Sequence, residues 1–319
     1  MRISVLGCGR WGSFLAWYLC RTGHEVTLYG RAASWRMERL LKYRENDLLQ
    51  IPEGVQLTTD LAAAVSRAEA LVISVGVQSL RSFLRELAGR DLSGRALVLC
   101  MKGLEAETGL RITEIVAQEL GPIPCAIWVG PGHVQDFLRG VPNCMVIDSA
   151  DAALREALVR AFSSDLIRFY YGDDLIGNEI GAAAKNVVGI AAGMLDGYGL
   201  TSLKGALMAR GTREVGRLIG ALGGSERSAY GLAHLGDYEA TVFSPYSHNR
   251  AFGERFVRGE RYAQLAEGMA TAKALRVLSS TRCGVGLPIC GAVYDVLYEG
   301  VNPREALSNL FLRSLKREF

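Results

Sequence analysis

Three glycines, two lysines and one carboxylate have the types and spacing that could do chemistry. Gly7, Gly9 and Gly12 form G-x-G-x-x-G directly after the apolar run Arg2–Leu6 and at the start of a helical pattern. In a strand-turn-helix setting the first glycine permits the tight turn and the second lets backbone approach a pyrophosphate. The third lets helix and strand close up, and the helix N-terminus attracts the phosphate charge. The chemistry implied is dinucleotide binding. Lys102 follows the apolar run Ala96–Cys100; at the carboxyl end of a parallel strand it either faces the crevice where such sheets bind ligands or simply meets solvent. Lys185 interrupts Gly181-Ala182-Ala183-Ala184 and precedes Asn186-Val187-Val188. A lone ammonium on so apolar a helix is costly to bury without a partner or a task.

A third cluster runs Leu235-Gly236-Asp237-Tyr238-Glu239-Ala240-Thr241 and then Ser247-His248-Asn249-Arg250. Read alone it is a polar loop with a helix cap; beside the two lysines it becomes a candidate substrate site. The second strand, Val26-Thr27-Leu28-Tyr29, ends in Gly30-Arg31, with no carboxylate to take a ribose 2′-hydroxyl and a guanidinium able to take a 2′-phosphate. NADPH is therefore favoured, and NADH permitted. Arg10 adds positive charge in the first turn.

Composition excludes several classes. With 36 basic and 33 acidic residues among 319, the net charge of +3 is too weak a field to argue for nucleic acid. Hydrophobic residues at 49% and charged residues at 22% are those of a folding chain. Seven scattered cysteines show neither a disulfide framework nor C-x-x-C spacing, which points to a reducing, cytoplasmic setting. The four histidines have no ligand spacing, so no metal is expected. Pro122, Pro124 and Pro131 break the one long uncharged stretch, and no membrane insertion is expected.

These residues need elements to position them. Short β-rich runs alternate with helical patterns through the first half, the mark of a mainly parallel, doubly wound sheet of Rossmann type. The strands expected are Arg2–Leu6, Glu25–Tyr29, Ala70–Val75, Ala96–Cys100, Ala126–Val129, Cys144–Ile147 and Ile167–Tyr171. The helices expected between them are Trp11–Arg21, Leu80–Ala88, Leu110–Leu120 and Ala152–Phe162. Gly172-Asp173-Asp174 is turn chemistry, and the domain boundary is placed there: a dinucleotide-binding domain over 1–173 and an all-helical substrate domain over 174–319. A long helix over Leu175–Leu195 opens the second domain, and its many small residues suggest that something lies against its backbone.

Together these segments resemble the bacterial-type NAD(P)-dependent glycerol-3-phosphate dehydrogenases over essentially the whole chain. The likeness rests on Gly7-Cys8-Gly9-Arg10-Trp11-Gly12, Lys102-Gly103-Leu104-Glu105-Ala106-Glu107-Thr108-Gly109, Gly130-Pro131, Ala184-Lys185-Asn186-Val187, Leu235-Gly236-Asp237, Asn249-Arg250 and Glu267-Gly268. The resemblance implies reversible reduction of dihydroxyacetone phosphate to sn-glycerol 3-phosphate, for phospholipid synthesis, in a cleft between the domains. It places Lys185 at the general acid/base position, Lys102 at the second active-site lysine and Asp237 beside them. Around the substrate it places Gly130, Gly132, Thr241, Ser247, His248 and Asn249, and against the cofactor Gly7, Gly9, Arg10, Trp11, Gly12, Arg31, Lys102, Val134, His248, Leu265 and Glu267. The partner implied is a small phosphorylated ketone or alcohol, and a homodimer is compatible with it. The chain departs from the family at His248, where an arginine usually grips the substrate phosphate; Arg250 or Lys204 is the expected compensation. The alternatives are a related two-domain dehydrogenase of another small keto or hydroxy acid, and a dinucleotide sensor without turnover.

Overall fold

The computed structural model describes residues 1–315, 317 and 318. The strands are β1 (Arg2–Leu6), β2 (Glu25–Tyr29), β3 (Gln56–Thr58), β4 (Ala70–Ile73), β5 (Ala96–Leu99), β6 (Cys125–Val129), β7 (Asn143–Ser149) and β8 (Ile167–Tyr171). Among them run α1 (Arg10–Arg21), α2 (Trp35–Tyr43), α3 (Leu61–Arg67), α4 (Leu80–Ala88), α5 (Ile112–Leu120), α6 (Val134–Leu138) and α7 (Ala152–Phe162). The remaining helices are α8 (Leu175–Gly197), α9 (Lys204–Ala221), α10 (His248–Val257), α11 (Glu267–Leu278), α12 (Pro288–Tyr298) and α13 (Pro303–Phe311).

The eight strands form one sheet in the order β3-β2-β1-β4-β5-β6-β7-β8, parallel except where β6 meets β7. Both faces are covered, so β4 reads as an unbroken apolar run with every residue buried. In α4 the buried residues are Leu80, Phe83, Leu84 and Leu87, one helical face. Asp60 and Asp151 cap α3 and α7 by accepting main-chain N–H groups. Strand β1 lies between β2 and β4, so the glycine turn leaves it where the strand order reverses, the crevice in which open α/β sheets take ligands.

The expected elements are present, with local differences. Strand β3 and helices α2, α3 and α6 have no counterpart in the sequence reading. Strand β3 is three residues long, α6 five and α3 seven, too short for a period to register, and α2 is nine residues with charged ones interspersed and only Met37 and Leu40 buried. Strand β4 stops at Ile73 rather than Val75, and α5 starts at Ile112 rather than Leu110 because Arg111 occupies its cap in extended conformation.

The chain divides into two compact units, Met1–Lys102 with Arg111–Leu175, and Gly103–Leu110 with Ile176 onward. The division falls two residues after the one read from sequence, and the helical unit also contains Gly103–Leu110. Physical contacts explain that membership. Leu104 is buried in one cluster with Ile180, Ala183 and Val187, and Glu107 accepts from Lys273 at 2.6 Å.

Helix α8 is the axis of the second unit, buried along most of its 23 residues. Two glycines let it cross α10 in backbone contact. A Cβ on Gly193 would stand 1.9 Å from the Arg250 carbonyl oxygen, and one on Gly253 would stand 2.1 Å from that of Ile190. This crossing fixes the start of α10, with His248 and Asn249, against the helix that carries Lys185. Gly193→Ala is therefore expected to cost about 1–3 kcal/mol through overpacking. Urea unfolding should show a lower midpoint with an unchanged slope.

Candidate active site

In the helical unit the side chain of Lys185 is almost fully buried, and its Nζ lies 2.9 Å from Asp237 Oδ2. The same ammonium donates to Thr241 Oγ1 at 2.9 Å, and Thr241 donates in turn to the Asp237 carbonyl oxygen at 2.7 Å. Asp237 ends a 3-10 turn over Leu235–Asp237, and Thr241 sits in a wide π turn over Glu239–Phe243. A carboxylate at this distance offsets the hydration that burial removes from the ammonium, and breaking such a pair leaves an uncompensated charge. The arrangement can hold a proton at Nζ and deliver it to an oxygen.

His234 stands behind this pair, fully buried. Its Nδ1 lies 2.9 Å from the Gly181 carbonyl oxygen and its Nε2 lies 2.8 Å from the Tyr238 hydroxyl. Burial pushes its pKa from 6.5 down to about 4, although Asp237 pulls upward; Lys185 adds to the depression. The sequence reading missed this histidine because one His among apolar residues gives no spacing signal.

In the sheet unit, Gly7 has a φ of +121°, and a Cβ on Gly12 would stand 1.9 Å from the Gly7 carbonyl oxygen. The turn is therefore closed to larger residues at both ends. At Gly9 the direction of a Cβ is open, with no heavy atom within 4 Å, and Gly9 caps the twelve-residue α1 without a side-chain hydrogen bond. No acidic residue occupies the first turn. An open, glycine-lined helix N-terminus of this kind fits a dinucleotide pyrophosphate. Lys102 donates to the Gly130 carbonyl oxygen at 2.5 Å, which joins the end of β5 to the turn after β6. Arg31 is half-exposed and donates to Glu86 Oε1 of α4 at 2.7 Å. No carboxylate ends β2, yet one reaches the same guanidinium from α4, a neighbour that strand-end spacing does not reveal.

The other expected residues take varied places. Trp11 packs on Phe14 and Phe137, and Val134 is buried at the start of α6. Gly132 faces the Phe137 ring. Ser247 caps α10 by accepting from Arg250 N–H. Asn249 donates to Asn186 Oδ1 at 3.0 Å and accepts from Gly268 N–H at 2.9 Å, tying α8, α10 and α11 together. His248 Nδ1 lies 2.6 Å from the Tyr262 hydroxyl. Leu265 is 72% exposed, Glu267 opens α11, and Arg10 is exposed. Lys204 and Arg250, the expected compensation for His248, both donate to Asp196, at 2.6 and 2.9 Å, and so belong to a half-buried network. Among the described residues no group of three or more His, Cys, Asp or Glu could hold a metal ion, and no helix is long and apolar enough to cross a membrane.

A glycine turn at the sheet's switch point and a buried lysine–carboxylate pair in a helical unit define a nicotinamide-dinucleotide dehydrogenase of two parts. Family models described as the N-terminus and the C-terminus of NAD-dependent glycerol-3-phosphate dehydrogenase match residues 2–155 and 174–308. The chain belongs to this family. It is 39% identical over 335 residues to glycerol-3-phosphate dehydrogenase [NAD(P)+] of Acidithiobacillus ferrooxidans, covering 100% of this chain and 95% of that one. It is 40% identical over 322 residues to the Bradyrhizobium protein of the same name, covering 99% and 98%. The crystal structure of glycerol-3-phosphate dehydrogenase from Coxiella burnetii superposes with a TM-score of 0.90 at 27% identity, covering 98% of this chain and 99% of that one.

The depressed pKa of His234 makes folding proton-linked. Between pH 6.5 and about 4 the unfolded chain takes up a proton at His234 that the folded chain does not, so stability is full above pH 6.5 and declines as pH falls toward 4. The loss is expected to reach up to about 3 kcal/mol. Asp196, whose pKa is lowered by Lys204 and Arg250 against its own burial, acts in a separate window below the ordinary aspartate value of 3.8. Denaturant unfolding at successive pH values should show the upper decline in wild type and lose most of it in His234→Asn.

Proposed function

We propose that the protein reversibly reduces dihydroxyacetone phosphate to sn-glycerol 3-phosphate, supplying phospholipid synthesis in the cytoplasm. The observation that carries this reading is the buried Lys185–Asp237 pair in a chain of this family. Reducing a ketone puts a hydride on carbon and a proton on oxygen, so the site needs an acid and positive charge near the oxygen. When bound, a nicotinamide dinucleotide supplies the hydride.

Gly7, Gly9 and Gly12, at the N-terminus of α1, hold its pyrophosphate. Lys185 gives its Nζ proton to the carbonyl oxygen in reduction and removes the hydroxyl proton in the reverse direction. Asp237 and Thr241 hold that amine in place, and Asp237 favours its reprotonation, because a neutral amine would leave the buried carboxylate uncompensated. Lys102 polarises the carbonyl oxygen. Thr241, Ser247, His248 and Asn249 face the substrate from the helical unit, and the remaining N–H of the Asn249 amide is a donor for its phosphate. Val134, Leu265 and Glu267 contact the cofactor.

Lys185→Ala is expected to lower kcat by about 100-fold or more, the scale of a lost general acid. Consumption of NADPH with dihydroxyacetone phosphate measures it. Turnover equal to wild type would remove Lys185 from the role, and a faster rate with an unphosphorylated keto acid would favour the related-dehydrogenase reading.

Cofactor choice turns on Arg31. Its guanidinium suits a 2′-phosphate, while Glu86 both holds it and repels that phosphate. Glu86→Gln is expected to raise the ratio of kcat/KM for NADPH over NADH by about tenfold, and Arg31→Ala to lower it by a similar factor. Steady-state kinetics with each reduced cofactor read the ratio directly.

A further inference from the structure

We propose that His234 and Tyr238 are positioning residues for the proton donor; this rests on the reading of Lys185 as the general acid. The two side chains form a buried hydrogen-bonded chain, from the Gly181 carbonyl oxygen through the imidazole to the Tyr238 hydroxyl. A carbonyl oxygen can only accept, so His234 Nδ1 carries the hydrogen and donates to Gly181. The other nitrogen of the neutral ring is then an acceptor and takes the Tyr238 hydroxyl hydrogen. One tautomer and one ring orientation are thereby fixed.

The carbonyl that His234 grips lies four residues before Lys185 on α8. In an α-helix that carbonyl is also the acceptor for the Lys185 main-chain N–H. The imidazole is therefore hooked to the turn that presents the lysine. On its other side His234 leads directly into the 3-10 turn that ends at Asp237, and the Asp237 N–H donates to the His234 carbonyl oxygen at 3.0 Å. Both members of the ion pair are thus referenced to one residue, the turn before Lys185 through the His234 side chain and Asp237 through the His234 main chain. The approach is close: a Cβ on Gly181 would stand 2.9 Å from His234 Cβ.

Tyr238 completes the clamp. It is fully buried in a cluster with Val188, Ala192 and Val242, and burial raises its pKa so that the hydroxyl stays a donor. The ionisable groups around the couple are Lys185 on α8, Asp237 on the 3-10 turn, Glu214 on α9 and Cys290 on α12. A neutral His234 adds no charge beside Lys185, so it acts through geometry.

Three variants test the assignment, each compared with wild type for cooperative unfolding and for the pH profile of dihydroxyacetone phosphate reduction. Tyr238→Phe keeps the ring and removes the hydroxyl. Its kcat is expected to fall by about tenfold while both KM values stay within about twofold, with a displaced alkaline limb of the kcat profile. His234→Phe removes both nitrogens and is expected to lose about 100-fold. His234→Asn, which returns a donor near the Nδ1 position, is expected to recover most of that loss. Should His234→Phe fail to fold, Tyr238→Phe and His234→Asn decide. Variants that melt earlier yet keep the wild-type kcat, KM and pH profile would reduce the couple to core packing and overturn the proposal. The two readings separate cleanly: an active Lys185→Ala enzyme defeats the general acid itself, whereas an inactive one with an unshifted Tyr238→Phe profile defeats only the positioning role.

Discussion

The helical unit depends on one constraint, that a buried ammonium needs a carboxylate at contact distance. Lys185 stands on a helix whose neighbours are Gly181, Ala182, Ala183 and Ala184 before it and Val187 and Val188 after it, so no local side chain on that stretch can serve as counter-ion. The partner has to come from elsewhere in the fold, and it comes from a 3-10 turn 52 residues further along the chain (237 − 185). Apolar packing alone does not choose which atom of a loop faces which atom of a helix. The ion pair does, and the hydrogen bonds from His234 and Thr241 make that choice unique. Low dielectric makes such a network worth more when complete and costlier when broken.

Small residues on α8 follow from the same constraint. Polar groups from a turn and from α10 can reach the lysine only if backbones approach closely, and Gly181, Gly189 and Gly193 each stand where a Cβ would press on His234, Thr241 or Arg250. Glycine within a helix costs about 0.5–1 kcal/mol relative to alanine. Here the close approach it permits positions the side chains around Lys185, so the local cost is offset by tertiary hydrogen bonds that bulkier residues would exclude.

Legibility in the sequence tracks the range of the physics. The glycine turn, the strand before it and the helix after it are local, and they read directly. Lys185 reads as exceptional because its apolar neighbours are also local. Glu86 beside Arg31 and His234 behind Lys185 could not be read, since each depends on a fold that brings distant segments together. Gly103–Leu110 shows the same limit: its membership of the helical unit is decided by Leu104 entering a core built from residues beyond 175, which no window along the chain contains. Helix α2 was missed for a different reason, because charged residues outweigh its two buried ones, Met37 and Leu40.

His248 illustrates how position and chemistry separate. Its place at the first residue of α10 is set by the Ser247 cap and by the glycine crossing that seats α10 on α8, both independent of what side chain stands there. An imidazole in that place has two nitrogens, and the contact with Tyr262 engages Nδ1. An arginine would bring several donors in a rigid fork. Lys204 and Arg250 are engaged elsewhere, because both neutralise Asp196 in a half-buried network whose disruption would leave that carboxylate without its partners. In the proposed reaction, phosphate recognition at this place would fall to neutral donors and to the imidazole itself. Hydrogen bonds to an anion from neutral donors are weaker than those from charged ones, so in the proposed reaction the substitution bears on substrate affinity.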